Sequence, residues 1–281
     1  MARAIERIER DIAALKEAIG AIALQLQTAY ASYLASLGVT LQKQLILATY
    51  HLCTQGYPEN FLNLSLNQRQ QLQQGIRKLS QVAAEQLVAY INSEEVGEDE
   101  QDEEVGEDEQ DEEVGGDEEE NTSLSLSFPD TSNPIELAKW QQNTEDITQE
   151  ILKKVSHEAN VLLQKAGILP KKLPEPILAA AAAAASEASA EVMPGPPNLL
   201  NLIIEIDNEQ QSEDSGLTQI MAINLRLGEI EFADPTLSSE RRQIRGILVQ
   251  LNKLEREYQK KLREKTVAEA EAAWRASWFE N

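Results

Sequence analysis

A nine-residue acidic repeat near the middle of the chain sets the strongest limit on how the chain can fold. The unit EEVGEDEQD occupies 94–102, recurs unchanged at 103–111 and returns as EEVGGDEEE at 112–120. This segment holds eighteen acidic side chains and no basic ones, and removing its −18 from the net charge of −23 leaves −5 elsewhere. One valine per repeat is too little apolar surface to offset the entropy cost of ordering. We therefore expect 93–132 to be a disordered linker.

The rest of the chain has the composition of an all-α protein. Alanine, leucine, glutamine and glutamate favour helix, whereas alternating β-branched and aromatic runs are scarce. The single cysteine, Cys53, allows no intramolecular disulfide and favours a reducing compartment. Charges within the first eleven residues break a signal-peptide core, and no apolar run is long enough to cross a membrane. We therefore expect a cytoplasmic protein without a transmembrane segment.

Residues 1–92 are predicted to form a three-helix bundle whose first helix has coiled-coil periodicity. Its apolar residues recur at steps of three and four: Ile5, Ile8, Ile12, Leu15, Ile19, Ile22, Leu26, Ala29 and Tyr33. We expect this helix to end at Gly38, a second to follow over 41–53 with Thr40 as its cap, and a third to begin after Ser65 in a capping box. The apolar stripe favours packing within the bundle, with self-association through the heptads as the alternative.

Residues 133–169 are predicted to form a single helix that begins at Pro134, with Asn133 before it, and that ends at Gly167. An Ala/Pro-rich linker follows over 170–215. An apolar segment at 198–207 interrupts it, and its periodicity does not distinguish strand from helix. This segment either completes the core or docks a partner, and its candidate contacts are Leu199, Leu200, Ile203 and Ile204.

Residues 216–281 are predicted to form a helical hairpin. The first arm covers 217–232, Asp234 and Pro235 make the turn, and Ser238 or Ser239 caps a long second arm. Trp274 and Trp278 are four residues apart and therefore share a helix face. With Phe279 they form an aromatic cluster typical of a partner contact, although packing on the helical core is the alternative. Whether the N- and C-terminal blocks touch is left open.

The second arm of this hairpin is also rich in basic residues. Nine of them lie between 240 and 265, against four acidic ones, and the candidates for anion binding are Arg241, Arg242, Arg245, Lys253, Lys260 and Lys261. Three interpretations remain: a solvated helix face, contact with the acidic repeat, or binding to nucleic acid or an anionic membrane surface.

No pattern typical of catalysis or cofactor binding is present. His51 and Cys53 are two apart on a predicted helix and diverge, and His157 with Glu158 lacks the second histidine of a zinc motif. The chain has no glycine-rich phosphate loop and no nucleophile elbow. We therefore expect no catalytic residue, no metal and no cofactor.

The segments QIMAINLRLGEIEFADP at 219–235 and HLCTQGYPENFLNLSLNQRQQL at 51–72 resemble conserved hypothetical helical proteins of cyanobacteria. That resemblance implies a cytoplasmic protein of a photosynthetic bacterium and carries no activity. Together with the absence of catalytic patterns, it leads us to expect a non-enzymatic helical adaptor that mediates protein–protein interaction. A nucleic-acid- or ribosome-associated factor that uses residues 240–265 is the alternative.

Overall fold

The computed structural model describes residues 2–92, 133–170, 196–206 and 216–278. Its helices are α1 (Ala2–His51), a π-helical turn (Leu52–Gly56), α2 (Pro58–Asn63), α3 (Leu66–Asn92), α4 (Pro134–Lys165), α5 (Leu227–Ala233) and α6 (Pro235–Ser277). Between α4 and α5 lie two strands, β1 (Leu199–Ile206) and β2 (Gly216–Ile223). The all-α class is confirmed, with one small two-stranded sheet. Residues 93–132, for which we expect disorder, lie outside the described residues, as does most of the Ala/Pro-rich segment.

Four long helices, α1, α3, α4 and α6, pack side by side. α6 runs antiparallel to α1, because Asp234 at the start of α6 accepts a hydrogen bond from Thr40 while Lys265 pairs with Glu9. α3 packs along α1, and α4 packs on α3 and contacts α6. Buried residues from both ends of the chain join in a single core. The N- and C-terminal helical blocks, whose contact the sequence left open, therefore pack on each other.

The four-helix part and its extension differ in burial. We call the larger part the bundle body. It contains α3, α4, the stretch of α1 from Ile19 to His51 and the stretch of α6 as far as Leu251. Beyond it, the arm consists of α1 before Ile19 and α6 after Leu251. Among the described side chains of the arm, Ile12 alone is buried. The arm is therefore a two-helix extension that carries little core.

The heptad stripe of α1 is used within the chain. Its members from Ile19 to Tyr33 are buried, and α6 covers them with its own stripe of Ile244, Ile247 and Leu251. An amphipathic helix removes its apolar stripe from water by packing it against the apolar stripe of another helix. The stripe therefore packs within the chain, as the sequence favoured, but it packs on the last helix as well as on α3 and not on a separate second helix.

The predicted helix end at Gly38 is wrong, since α1 continues to His51. Gly38 lies where α3 crosses closely: a Cβ atom added there would come within 2.9 Å of the Ala84 Cβ. The glycine serves close packing rather than a left-handed cap. Thr40, predicted as a cap, is buried and donates a hydrogen bond to Asp234. The second predicted helix, 41–53, is the end of α1 plus the first residues of the π-helical turn.

The first arm of the predicted C-terminal hairpin is also wrong. Residues 217–232 form β2 and the short helix α5 instead of one helix. Strand β2 pairs antiparallel with β1, with Leu200 opposite Ala222. Its outer edge is covered, because Tyr57 exchanges hydrogen bonds with the backbone of Met221, and Asn160 does so with Ile223. Local periodicity misses this arrangement because side chains of distant helices hold the strand.

Several predicted helix ends are confirmed. Ser65 and Gln68 exchange the hydrogen bonds of a capping box at the start of α3. Asn133 caps α4 through the amide of Ile135, and Gly167 adopts a positive φ of 82° just after that helix. The start of α6 differs from the prediction: Asp234 caps it through the amide of Thr236, and Ser238 is already helical. None of the described helices combines the length and apolarity needed to cross a membrane.

Candidate interaction surface on the last helix

Helix α6 places basic residues on two different faces, an inner one and an outer one. Its inner face points at α1 and α4 and carries Leu237, Arg241, Ile244, Ile247 and Leu251, all buried. Arg242, Arg245 and Val249, which lie between these positions, are exposed. Because the helix repeats every 3.6 residues, Arg241 and Arg242 project in directions about 100° apart, and only the first lies in the core stripe.

Arg241 is the centre of a buried polar cluster in the bundle body. Its guanidinium contacts both carboxylate oxygens of Glu145 and donates to Glu231 Oε1 at 2.7 Å. It also donates to the Tyr33 hydroxyl at 2.7 Å and stacks over that ring, 4.4 Å from its centroid. Tyr30 donates to Glu145 at 2.6 Å, and Tyr33 donates to Glu231 at the same distance. Helices α1, α4, α5 and α6 are thereby tied together.

The electrostatics of this cluster fix its protonation state. Burial alone would lower the pKa of the Arg241 guanidinium, but Glu145, Tyr33 and Glu231 together raise it above its ordinary value. Burial raises the pKa of Tyr30 and of Tyr33, and their carboxylate partners raise it further. The cluster therefore keeps one cation, two neutral hydroxyls and their acceptors. We assign it a structural role, since all its groups satisfy one another.

Lys261 and Lys265 also face α1. Lys261 lies 3.1 Å from Asp11 and 3.0 Å from Glu264, and Lys265 lies 2.9 Å from Glu9. Hydrogen bonds to Glu264 and Asp11 raise the pKa of Lys261. These pairs align the two helices of the arm. Of the predicted anion-binding residues, Arg241 and Lys261 are therefore engaged within the fold.

The outer face of α6 is different. It carries six exposed basic residues that form no ion pair with any described residue: Arg242, Arg245, Lys253, Arg256, Lys260 and Arg263. They recur at steps that keep them on one side of the helix. Val249 and Val267 lie in the same line and are 69% and 51% exposed. We call this set the outer stripe. It spans about 32 Å from Arg242 to Arg263 at 1.5 Å per residue.

The line of the outer stripe ends in two tryptophans. Trp274 and Trp278 are 67% and 72% exposed, and their rings contact each other with centroids 6.0 Å apart. Lys265 pairs with Glu9, and α1 begins only seven residues before Glu9, at Ala2. Because the two helices are antiparallel, Trp274, nine residues after Lys265, lies beyond the first residue of α1. The tryptophan pair therefore lies at the tip of the arm. Phe279, predicted to join them, is outside the described residues.

The apolar segment at 198–207 does not join this surface. Leu199 and Leu200 are buried, so docking through them is wrong, and the alternative that they complete the core is correct. Asn198, with a positive φ of 60°, accepts a hydrogen bond from Arg226 and donates its backbone amide to Glu229. These bonds hold the segment against α5. Ile203 and Ile204 lie in β1, and their side chains are outside the described residues.

No described group of three or more histidine, cysteine or carboxylate side chains converges to hold a metal ion. Burial raises the pKa of the Cys53 thiol to about 11, which makes it a poor nucleophile at neutral pH. A scan against protein-family models and searches of curated proteins and of solved structures find no match to this chain. The resemblance to cyanobacterial proteins stays a prediction.

Sequence reasoning missed the polar cluster and the division of the basic residues. Tyr30, Tyr33, Glu145 and Glu231 come from three helices, and no local spacing connects them. One signal was present: Arg241 falls in step with Leu237 and Ile244 in the apolar stripe of α6. A basic residue in a core position predicts a buried carboxylate partner, because an unpaired buried charge is too costly.

Proposed function

We propose that this protein is a non-enzymatic helical adaptor that binds a protein partner through the tryptophan pair at the tip of its arm. The observation that carries this proposal is the exposure of Trp274 and Trp278, side by side, on a helix end that the bundle body does not cover. A cytoplasmic location belongs to the same proposal, since the single cysteine needs no oxidising compartment.

Physical chemistry supports a role for the pair in binding. Tryptophan buries more apolar area than other side chains, and it is enriched among the residues that dominate binding energy at interfaces. Two such rings on one helix face form a contiguous apolar patch, which a soluble protein seldom exposes without a use. The antiparallel pairing of α1 with α6, through Lys261–Asp11 and Lys265–Glu9, holds the patch away from the body.

The test is recovery of partners with a tagged full-length chain from its native cells, after nuclease treatment, read by quantitative mass spectrometry. We expect Trp274→Ala with Trp278→Ala to reduce recovery of the specific partners at least about tenfold, as truncation of hot-spot residues does. Phe232→Ala is the matched control, because Phe232 is an exposed aromatic residue on the body. Equal recovery by the double variant and wild type would remove the tip from the account.

The outer stripe supports a second candidate, a nucleic-acid- or ribosome-associated factor. Its six basic side chains have no described ion-pair partner and lie on one face, as phosphate contacts require. RNA affinity should then fall steeply with salt, and Arg242→Glu with Arg245→Glu should abolish binding. Lys153→Glu with Lys154→Glu, on the exposed face of α4, should leave it unchanged. Affinity that ignores salt would exclude this function.

A further inference from the structure

The chain that carries the outer stripe also contains a polyanionic segment. The acidic repeat, Glu94–Glu120, carries eighteen carboxylates and no cation, and the outer stripe carries six cations that form no ion pair with a described residue. We propose that the outer stripe is an intramolecular docking surface for this acidic repeat. The inference is independent of the adaptor proposal, which rests on the tryptophans at the tip.

Helix α3 ends at the level of the first residues of the outer stripe. Ala84 of α3 packs on Gly38, and Ser36 of α1 donates a hydrogen bond to Glu240, so α3 and the start of α6 meet α1 at the same height. From Ala84, α3 continues eight residues to Asn92, about 12 Å along the bundle. The described chain therefore leaves α3 at about the height of Arg245, two residues before the repeat begins.

The length of the repeat is also sufficient. A chain of 27 residues spans up to about 90 Å when extended, whereas the outer stripe from Arg242 to Arg263 is about 32 Å long. The described chain resumes at Asn133 at the start of α4, which leaves forty residues to make the excursion and return. The repeat can thus lie along the whole stripe without disturbing the bundle body.

Tethering favours this occupant over any polyanion in solution. A segment joined to the same molecule acts at an effective concentration in the millimolar range, so weak individual ion pairs add up. Exposed pairs contribute little singly and are screened by salt. We therefore expect a multivalent contact that forms at low ionic strength and is lost at high ionic strength, rather than a few fixed bridges.

Zero-length carbodiimide cross-linking of the full-length chain tests the contact, because it joins carboxylates to lysines within ion-pair distance. Lys253 and Lys260 belong to the outer stripe, whereas Lys139, Lys153 and Lys154 are exposed lysines of α4. We expect the repeat to cross-link to the outer-stripe lysines several-fold more often than to the α4 lysines, with the difference lost in 1 M salt. Lys139, six residues after the described chain resumes, controls for proximity along the chain.

The decisive variant reverses the four arginines of the stripe to glutamate and keeps both reactive lysines: Arg242→Glu, Arg245→Glu, Arg256→Glu and Arg263→Glu. Cross-links from the repeat to Lys253 and Lys260 should disappear, while the inner pairs Lys261–Asp11 and Lys265–Glu9 still cross-link and report an intact arm. Persistence of the repeat's cross-links in this variant would overturn the proposal. A predominance of cross-links from the repeat to the α4 lysines would also overturn it. When isotope-labelled and unlabelled chains are combined, a predominance of cross-links between a labelled and an unlabelled chain would overturn it as well, because the contact would then be intermolecular.

Discussion

Arg241 and Arg242 are neighbours in the sequence, yet their side chains have opposite surroundings. Arg241 is 9% exposed and bound by two carboxylates and a tyrosine, whereas Arg242 is exposed and pairs with no described carboxylate. The same contrast separates Lys261, paired with Asp11, from Lys260. One face of α6 therefore holds the bundle together and the other is exposed to solvent. Basic residues counted along a helix carry no functional meaning until each is assigned to a face.

The largest expected difference in stability is between substitution of a tryptophan in the bundle body and substitution of one at the tip of the arm. Trp140 is buried in the bundle body and its ring packs edge-on against Tyr30, with centroids 5.4 Å apart. Trp140→Ala should lower the free energy of unfolding by about 3–5 kcal/mol, because it leaves a large cavity. Trp274→Ala should change it by no more than about 0.5 kcal/mol. Urea denaturation measures both, and a comparable loss in the two variants would mean that the tip packs on the body.

Two helical glycines give a second comparison. Gly38→Ala forces a Cβ to within 2.9 Å of the Ala84 Cβ, so the helices must separate at a cost of about 1–3 kcal/mol. At Gly246, on the outward side of α6, an added Cβ has no neighbour within 4 Å. Gly246→Ala should therefore stabilise the protein by up to about 1 kcal/mol through helix propensity. Thermal unfolding of the two variants should shift in opposite directions, and destabilisation by both would contradict an open outer face.

A smaller effect is expected at alkaline pH. The pKa of Tyr33 is raised in the fold, chiefly by burial. Its contribution to stability is therefore fully present below the ordinary tyrosine pKa of about 10 and is lost as pH rises above that value, by up to about 1.4 kcal/mol per pH unit. Tyr33→Phe should make the decline between pH 10 and 11 shallower. Tyr50→Phe is the control, because Tyr50 is exposed. An unchanged slope in Tyr33→Phe would show that Tyr33 is accessible in the native state.

The sequence predicts the parts of the fold that depend on neighbouring residues. The capping box at Ser65, the Asn133 cap and the turn at Gly167 are local hydrogen-bonding patterns, and each is found where expected. The helix through Gly38 and the strand β2 were not predicted, since each depends on a partner far along the chain. Gly38 packs on Ala84, and the backbone of Ile223 is held by Asn160.

The candidate surface could be predicted only in part. The two tryptophans four residues apart were recognisable from spacing, and the structure places both in solvent. The basic residues could not be sorted by number or density, because Glu145 lies 96 residues from Arg241 in the chain. The heptad position of Arg241 contained that information, whereas the net charge of the segment did not.

The measurement that tests this division of α6 most directly is the free energy of unfolding of two variants in urea. Arg241→Gln leaves Glu145 and Glu231 without their buried cation and should cost about 3–5 kcal/mol. Arg242→Gln combined with Arg245→Gln removes two charges from the outer stripe and should cost no more than about 1 kcal/mol. A loss in the double variant as large as that in Arg241→Gln would show that the outer face also holds the fold together, and would contradict its assignment as an interaction surface.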